Sequence, residues 1–208
     1  MGRDFRGQSM IFTETRLKGA YLIDLEPFRD ERGLFARSFC EREFDEHGLK
    51  AGFVQCNISY NESAGTLRGL HYQAYPYGEA RLVHCLRGAV YDVIVDLRRD
   101  SPTRFEWVGV ILRGFDPDET NPAGALPRLQ PDVPVHHMVY IPEGFAHGFQ
   151  TLSSNTGILY HMSQFYHPEA ARGIRWDDPL LRIRWPYQEV IASEKDRSYV
   201  FLEEKDFR

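Results

Sequence analysis

The sequence predicts an all-β domain, a sandwich or jelly-roll barrel with a few short peripheral helices. Three observations carry this expectation. Short runs rich in β-branched and aromatic residues recur between residues 20 and 166. Turn residues separate most of them, as at Arg87-Gly88 and Asp100-Ser101-Pro102. Helical periodicity is scarce. The expected strands cover 20–25, 53–60, 67–73, 80–86, 89–97, 106–112, 137–141 and 157–166, and Asn61-Glu62-Ser63 ends the second of them. A short helix is expected over 41–47, and another starts near Ser193, whose hydroxyl suits an N-cap.

A chain of 208 residues is long enough to bury a full core, and the whole of 1–208 reads as one domain. Hydrophobic residues at 42% and charged residues at 26% describe an ordinary globular protein. The net charge of -5 gives no general attraction to nucleic acid or to a membrane surface, so an anionic substrate needs a local basic pocket. No apolar run is long enough to span a membrane. The opening residues MGRDFRGQSM lack the apolar stretch of a signal peptide. Cys40, Cys56 and Cys85 show no CxxC spacing and read as reduced thiols, which together with the missing signal places the chain in the cytoplasm. One stretch breaks the strand pattern. Residues 113–136 carry Pro117, Pro122, Pro127, Pro131 and Pro134, and read as an inserted loop: a lid, a subunit contact or an insertion without a role.

Four segments hold residues able to do chemistry. In AVYDVIVDLR, alternation puts Tyr91, Val93, Val95 and Leu97 on one face and Val90, Asp92, Ile94 and Asp96 on the other. Two carboxylates on an apolar strand either meet solvent near its end or line a cavity beside a cationic or protonated partner. The strand alone favours solvent. In GTLRGLHYQ, His71 and Gln73 share a face, with Arg68 three residues before the histidine and Arg81 ten after. Cations nearby favour the neutral imidazole, which can accept a proton. In YIPEGFAHGFQ, Pro142, Gly144 and His147 form a turn that returns a strand with an inward histidine, and the spacing resembles the second cupin motif. The first cupin motif is matched by His71, Gln73, Glu79 and Gly88, with Gln73 where a second histidine would stand. An amide oxygen is a poor ligand for a transition metal, so no metal is expected, although His71, Glu79 and His147 leave that reading open. Tyr160, in GILYHMSQFY, either fills space or serves as a general acid.

GTLRGLHYQ, GAVYDVIVDLR, SPT, YIPEGFAHGF, IRWDDP, RWP and SEKD recur in this order, preceded by DERGLF and FVQCN. The ordered set resembles the dTDP-4-dehydrorhamnose 3,5-epimerase family from about residue 17 to residue 207. The resemblance implies a homodimer of cupin-type jelly rolls that uses no cofactor and no metal. It implies His71 as the catalytic base, Asp196 as its dyad partner and Tyr160 as the acid on the opposite face of the sugar. Arg68, His147 and Asp92 match polar positions around the substrate. Arg32, Phe35, Gln55 and Asn57 match positions that hold the nucleotide of a nucleotide-diphosphate sugar.

Three positions depart from the family pattern. Arg81 stands where a lysine is usual, Arg37 where a glutamate is usual, and Cys56 where an aspartate is common. The first keeps the charge with different geometry. The second reverses the charge near the expected nucleotide site. Double epimerisation of dTDP-4-keto-6-deoxy-D-glucose is the leading expectation. Beside it stand an epimerase acting at one carbon or on another nucleotide sugar, a metal-binding cupin enzyme, and a non-catalytic sugar-nucleotide binding protein.

Overall fold

The computed structural model describes residues 9–115 and 133–203. Fourteen strands and two helices follow one another as β1 (Met10–Glu14), β2 (Tyr21–Leu25), β3 (Phe28–Asp30), β4 (Gly33–Phe35), α1 (Glu41–Glu46), β5 (Gln55–Asn61), β6 (Leu67–Gln73), β7 (Arg81–Arg87), β8 (Ala89–Asp96), β9 (Trp107–Arg113), β10 (Val135–His136), β11 (Met138–Ile141), β12 (Phe145–Thr151), β13 (Thr156–Met162), β14 (Ala171–Gly173) and α2 (Glu194–Ser198). Two six-stranded sheets result, ordered β1-β2-β11-β7-β13-β5 and β10-β9-β8-β12-β6-β14, and β3 and β4 pair as a separate hairpin. This is the expected all-β sandwich of jelly-roll type, with neither sheet closed on itself. Each expected strand has its counterpart within a few residues. Most of the inserted-loop expectation, residues 116–132, lies outside the described residues. Its C-terminal end is not loop: Val135–His136 pairs parallel to β9.

Alternation explains how the layers close. Val83, Cys85, Val139 and Ile158 of the first sheet face Val90, Ile94, Val110 and Phe149 of the second, and all are buried in one cluster. The outer face of the second sheet, with Tyr91, Val93, Val95 and Ile111, is covered by Trp176, Leu181 and Trp185. The outer face of the first, with Ile23, Leu82, Met138 and Tyr140, packs against Phe44 of α1. A sheet covered on both sides leaves no solvent face, and all eight residues of β8 are buried.

The preferred expectation for Asp92 and Asp96 was therefore wrong. Both side chains point into the sandwich and neither has any exposure. Asp96 accepts from Arg98 Nε at 2.9 Å, Arg98 Nη2 at 2.7 Å, Ser101 Oγ at 2.6 Å and Thr103 Oγ1 at 2.8 Å, and so fastens the turn after β8. Burial pushes its carboxyl up, but the bonds from Arg98, Ser101 and Thr103 outweigh burial and lower the pKa from 3.8 to about 2. A depressed carboxyl pKa stabilises the fold above the unfolded value, and that stability is lost as pH falls through the folded value. Asp96→Asn is expected to cost about 2 kcal/mol at neutral pH. It should also flatten the fall in stability between about pH 4 and pH 2, measured by urea unfolding across pH.

Candidate active site

A cavity of about 410 Å³ opens between the sheets. The first sheet contributes Asn57, Ser59, Arg81, Tyr160 and Met162 to its wall, the second contributes Arg68, His71, His147 and Phe149, and the C-terminal segment contributes Lys195, Asp196 and Tyr199. A regular strand would put Arg68 and His71 on opposite faces, since they are three residues apart. The pairing of β6 with β12 breaks register here: His147 lies opposite His71, yet Phe149 lies opposite Arg68. The slip turns Arg68 to the cavity side with His71. It occurs where Gly69 and Gly148 cross. A Cβ on Gly69, whose φ is +135°, would sit 2.5 Å from the Gly148 Cα, and one on Gly148 would sit 2.9 Å from the Arg68 carbonyl oxygen.

His71 is held from behind. Its Nε2 lies 2.5 Å from Oδ1 of Asp196, and 38% of the imidazole remains open to the cavity against 6% of the carboxylate. Asp196 sits in the first turn of α2, where Ser193 caps the helix by accepting from the Asp196 N–H at 3.0 Å. Burial raises the Asp196 carboxyl, but the hydrogen bond and charge of His71, with help from Ser193 and the Gly69 backbone, win and hold it below the usual carboxylate range. With Nε2 engaged, Nδ1 is the nitrogen left for a substrate.

In the same sheet as His71, His147 Nε2 meets Asp92 Oδ2 at 2.8 Å, with both groups almost wholly buried. The inward carboxylate thus has the protonatable partner that the cavity reading required. Its other oxygen, Oδ1, is buried without a hydrogen-bond partner among the described residues. Its field falls on Tyr160. Burial raises the Tyr160 phenol most, Ser59 pulls it down, Asp92 adds to the rise, and Arg68 and Arg81 counter in part. The balance is a large upward shift, so Tyr160 keeps its proton at neutral pH.

Arg81 is fixed by Glu79, which accepts from Nε at 2.8 Å and also from Nη2, while Nη1 donates to the His71 carbonyl oxygen at 3.3 Å. The planar fork grips one Glu79 oxygen with two nitrogens and the His71 carbonyl oxygen with the third, a fixed geometry that the single ammonium of a lysine would not reproduce. Gln73 uses both ends of its amide on loops: Oε1 accepts from the His167 N–H at 2.6 Å, and Nε2 donates to the carbonyl oxygens of Tyr77 and Phe165. Both histidines give Nε2 to a carboxylate, and among the described residues no three His, Cys, Asp or Glu side chains gather as a metal ligand set.

Not every expected residue arrives at the cavity. Gln55 stands one step out, where its Oε1 accepts from the Tyr166 N–H at 2.6 Å. Arg32 and Phe35 lie on the exposed β3–β4 hairpin, and Arg32 is occupied by Asp30 at its own turn. The charge reversal at Arg37 is met inside the chain, because Glu43 of α1 accepts from Arg37 Nη1 at 2.7 Å. Ser59, Met162, Arg172, Lys195 and Tyr199 line the cavity without having been singled out. Ser59 was legible by alternation from Asn57. Tyr199 was not, since it reaches His71 only because Gly173 leaves room for its ring.

A family model described as dTDP-4-dehydrorhamnose 3,5-epimerase matches residues 14–119 and 132–204. The chain belongs to this family. It is an isomerase-class enzyme, and the unmatched residues 120–131 fall inside the proline-rich stretch. The epimerase is 42% identical to the dTDP-4-dehydrorhamnose 3,5-epimerase of Methanothermobacter thermautotrophicus, over 93% of this chain and 95% of that one. The crystal structure of the Bacillus anthracis dTDP-4-dehydrorhamnose 3,5-epimerase with TDP and PPi bound superposes with a TM-score of 0.81 at 38% identity, covering 93% of this chain and 100% of that one. The Legionella pneumophila dTDP-6-deoxy-D-glucose-3,5-epimerase in complex with dTDP-4-keto-L-rhamnose superposes at 0.78 with 36% identity, covering 93% of each chain. These neighbours bear out the expected fold class and family. In this epimerase Gly69→Ala is expected to cost about 2–3 kcal/mol in urea unfolding, from the clash with Gly148 and the positive φ together. Gly52→Ala, a site with open space around the added Cβ, serves as the control and should cost far less.

Proposed function

We propose that this epimerase inverts C3 and C5 of dTDP-4-keto-6-deoxy-D-glucose to give dTDP-4-keto-L-rhamnose, with His71 as the base and Tyr160 as the acid. The observation that carries the reading is the placement of the two groups. The imidazole backed by Asp196 projects from one sheet, and a phenol that keeps its proton projects from the facing sheet into the same cavity. The C4 ketone acidifies the hydrogens on C3 and C5. His71 removes one through Nδ1, and Asp196 favours the imidazolium that forms. The electrons of the broken C–H bond move into an enolate whose charge settles on O4. Arg68 and Arg81 supply positive charge to the cavity where that oxyanion develops. Tyr160 then gives its proton to the same carbon from the opposite face, and the centre is inverted. The step leaves a proton on His71 and a phenolate at Tyr160. Exchange with solvent removes the first and reprotonates the second before the other carbon reacts, and no oxidant or reductant is needed.

The remaining expectations belong to the same reading. The two sheets share one buried cluster, which supports one domain over 1–208 with an insertion within 113–136. A homodimer is supported by two features. Strand β5 ends its sheet with Ile58 and Tyr60 exposed. Arg32 and Phe35, expected at the nucleotide, lie away from this chain's own cavity, so a second copy could provide nucleotide contacts. Among the described residues no helix is long and apolar enough to cross a membrane.

The test is NMR of dTDP-4-keto-6-deoxyglucose in deuterated water. The wild type should exchange the hydrogens on both C3 and C5, and His71→Ala should exchange neither. Asp196→Asn should lower kcat about 10²- to 10⁴-fold, because the dyad loses its charged member. Exchange at one carbon alone would replace the double epimerase by a single-carbon one. A folded wild type that exchanges neither position would defeat the dTDP substrate and direct the search to other nucleotides.

A further inference from the structure

Tyr160 has two demands placed on it. Its hydroxyl must stay in line with the sugar carbon, and its oxygen must carry negative charge once the proton has left. A buried phenolate without a donor is costly. The neighbouring strand offers that donor. In the antiparallel pairing of β5 with β13, Asn57 lies opposite Tyr160, Ser59 opposite Ile158 and Asn61 opposite Thr156. Residues two apart share a face, so Asn57, Ser59 and Asn61 all project on the side of Tyr160. Ser59 is its diagonal neighbour and lines the cavity beside it, on the side from which the hydroxyl draws the phenol pKa down.

Asn61 fixes Ser59 in turn. It is 2% exposed, and its Nδ2 donates to the Thr156 carbonyl oxygen at 3.2 Å. Its Oδ1 accepts from Ser59 Oγ at 3.4 Å and from Arg68 Nε at 2.8 Å. The polar groups form one connected line from the cation, Arg68 to Asn61 to Ser59, which ends diagonally beside the acid Tyr160.

We propose that Ser59 is a positioning residue for the acid, oriented by Asn61 and Arg68 so that its hydroxyl steadies the Tyr160 oxygen through proton transfer. The inference rests on the function proposed above. Before transfer the Ser59 hydroxyl donates to Asn61 Oδ1. In the transfer the Tyr160 O–H bond breaks, a C–H bond forms, and the enolate electrons return the C4 oxygen to a carbonyl. The Ser59 hydroxyl then turns its hydrogen from Asn61 to the phenolate, and Arg68 keeps Asn61 Oδ1 satisfied at that moment. A proton from solvent restores Tyr160.

The measurement takes two rates from one NMR sample in deuterated water: deuterium entry at C3 and C5, and formation of the inverted sugar. His71 alone can remove a proton and return a deuteron to the same face, whereas inversion needs Tyr160. The ratio of exchange to inversion therefore reads the acid, and a general loss of folding leaves it unmoved. Ser59→Ala is expected to raise that ratio about tenfold, the loss of one hydrogen bond at the reacting group. Ser59→Thr, which restores a hydroxyl, should bring it back toward wild type, and Tyr160→Phe sets its upper limit. A folded Ser59→Ala with the wild-type ratio overturns the proposal. So does an equal loss of exchange and inversion, which would make Ser59 a residue of the sheet alone. Absence of exchange in the wild type itself would overturn the function reading, and this inference with it.

Discussion

The crossing of β6 and β12 at Gly69 and Gly148 is the constraint on which the cavity depends. Two backbones approach there more closely than any side chain would allow. The register slips at that point, and the slip puts Arg68 beside His71 on the inner face. The outer face gains as well, since Leu67 and Leu70, also three residues apart, both enter the cluster under Trp176 and Trp185. One irregularity thus serves both the packing and the site. Without it the cavity would hold His71 without Arg68, and the line through Asn61 to Ser59 would lose its cation.

Electrostatic order within the sandwich follows a single rule: each buried charge has a partner close by. Asp92 meets His147, Glu79 meets Arg81, Asp196 meets His71, and Asp96 meets Arg98 and two hydroxyls. The carboxylates absorb part of the positive charge, while Arg68, Arg81, Arg172 and Lys195 keep the cavity wall basic in a chain whose net charge is -5. That contrast fits a doubly charged diphosphate substrate better than the overall charge suggests. The asymmetry between the two walls is chemical too. A dyad that can take a proton faces a half-buried phenol that holds one.

Much of this was legible in the sequence, and the parts that were not have physical causes. The central strands carry strong alternation, and 67–73, 80–86, 89–97 and 106–112 all have counterparts within one or two residues. β1, the β3–β4 hairpin and β14 were not foreseen, because edge strands and three-residue strands bury too little to leave a pattern. Asp92 and Asp96 misled because the more apolar face of β8, with Tyr91, Val93 and Val95, is the outer one, covered by the distant C-terminal residues Trp176, Leu181 and Trp185, which leaves the aspartates on the face turned to the other sheet. The cavity side of His71 was read from Gln73, but Arg68 joins that side only through a bulge that spacing does not announce. Arg32 and Phe35 were named by resemblance, and this chain alone does not bring them to the cavity. Arg37 looked like a charge reversal at the nucleotide, and its partner Glu43 was invisible until the helix was placed.

The most direct test of the account is a crystal structure of the Tyr160→Phe epimerase with dTDP-4-keto-6-deoxyglucose bound. The account predicts the sugar ring between the two sheets, with His71 Nδ1 within about 3.5 Å of a ring C–H on one face and the edge of the substituted aromatic ring at position 160 against the other. A sugar seated with both side chains on the same face, or bound away from His71, would contradict the assignment of base and acid to opposite walls.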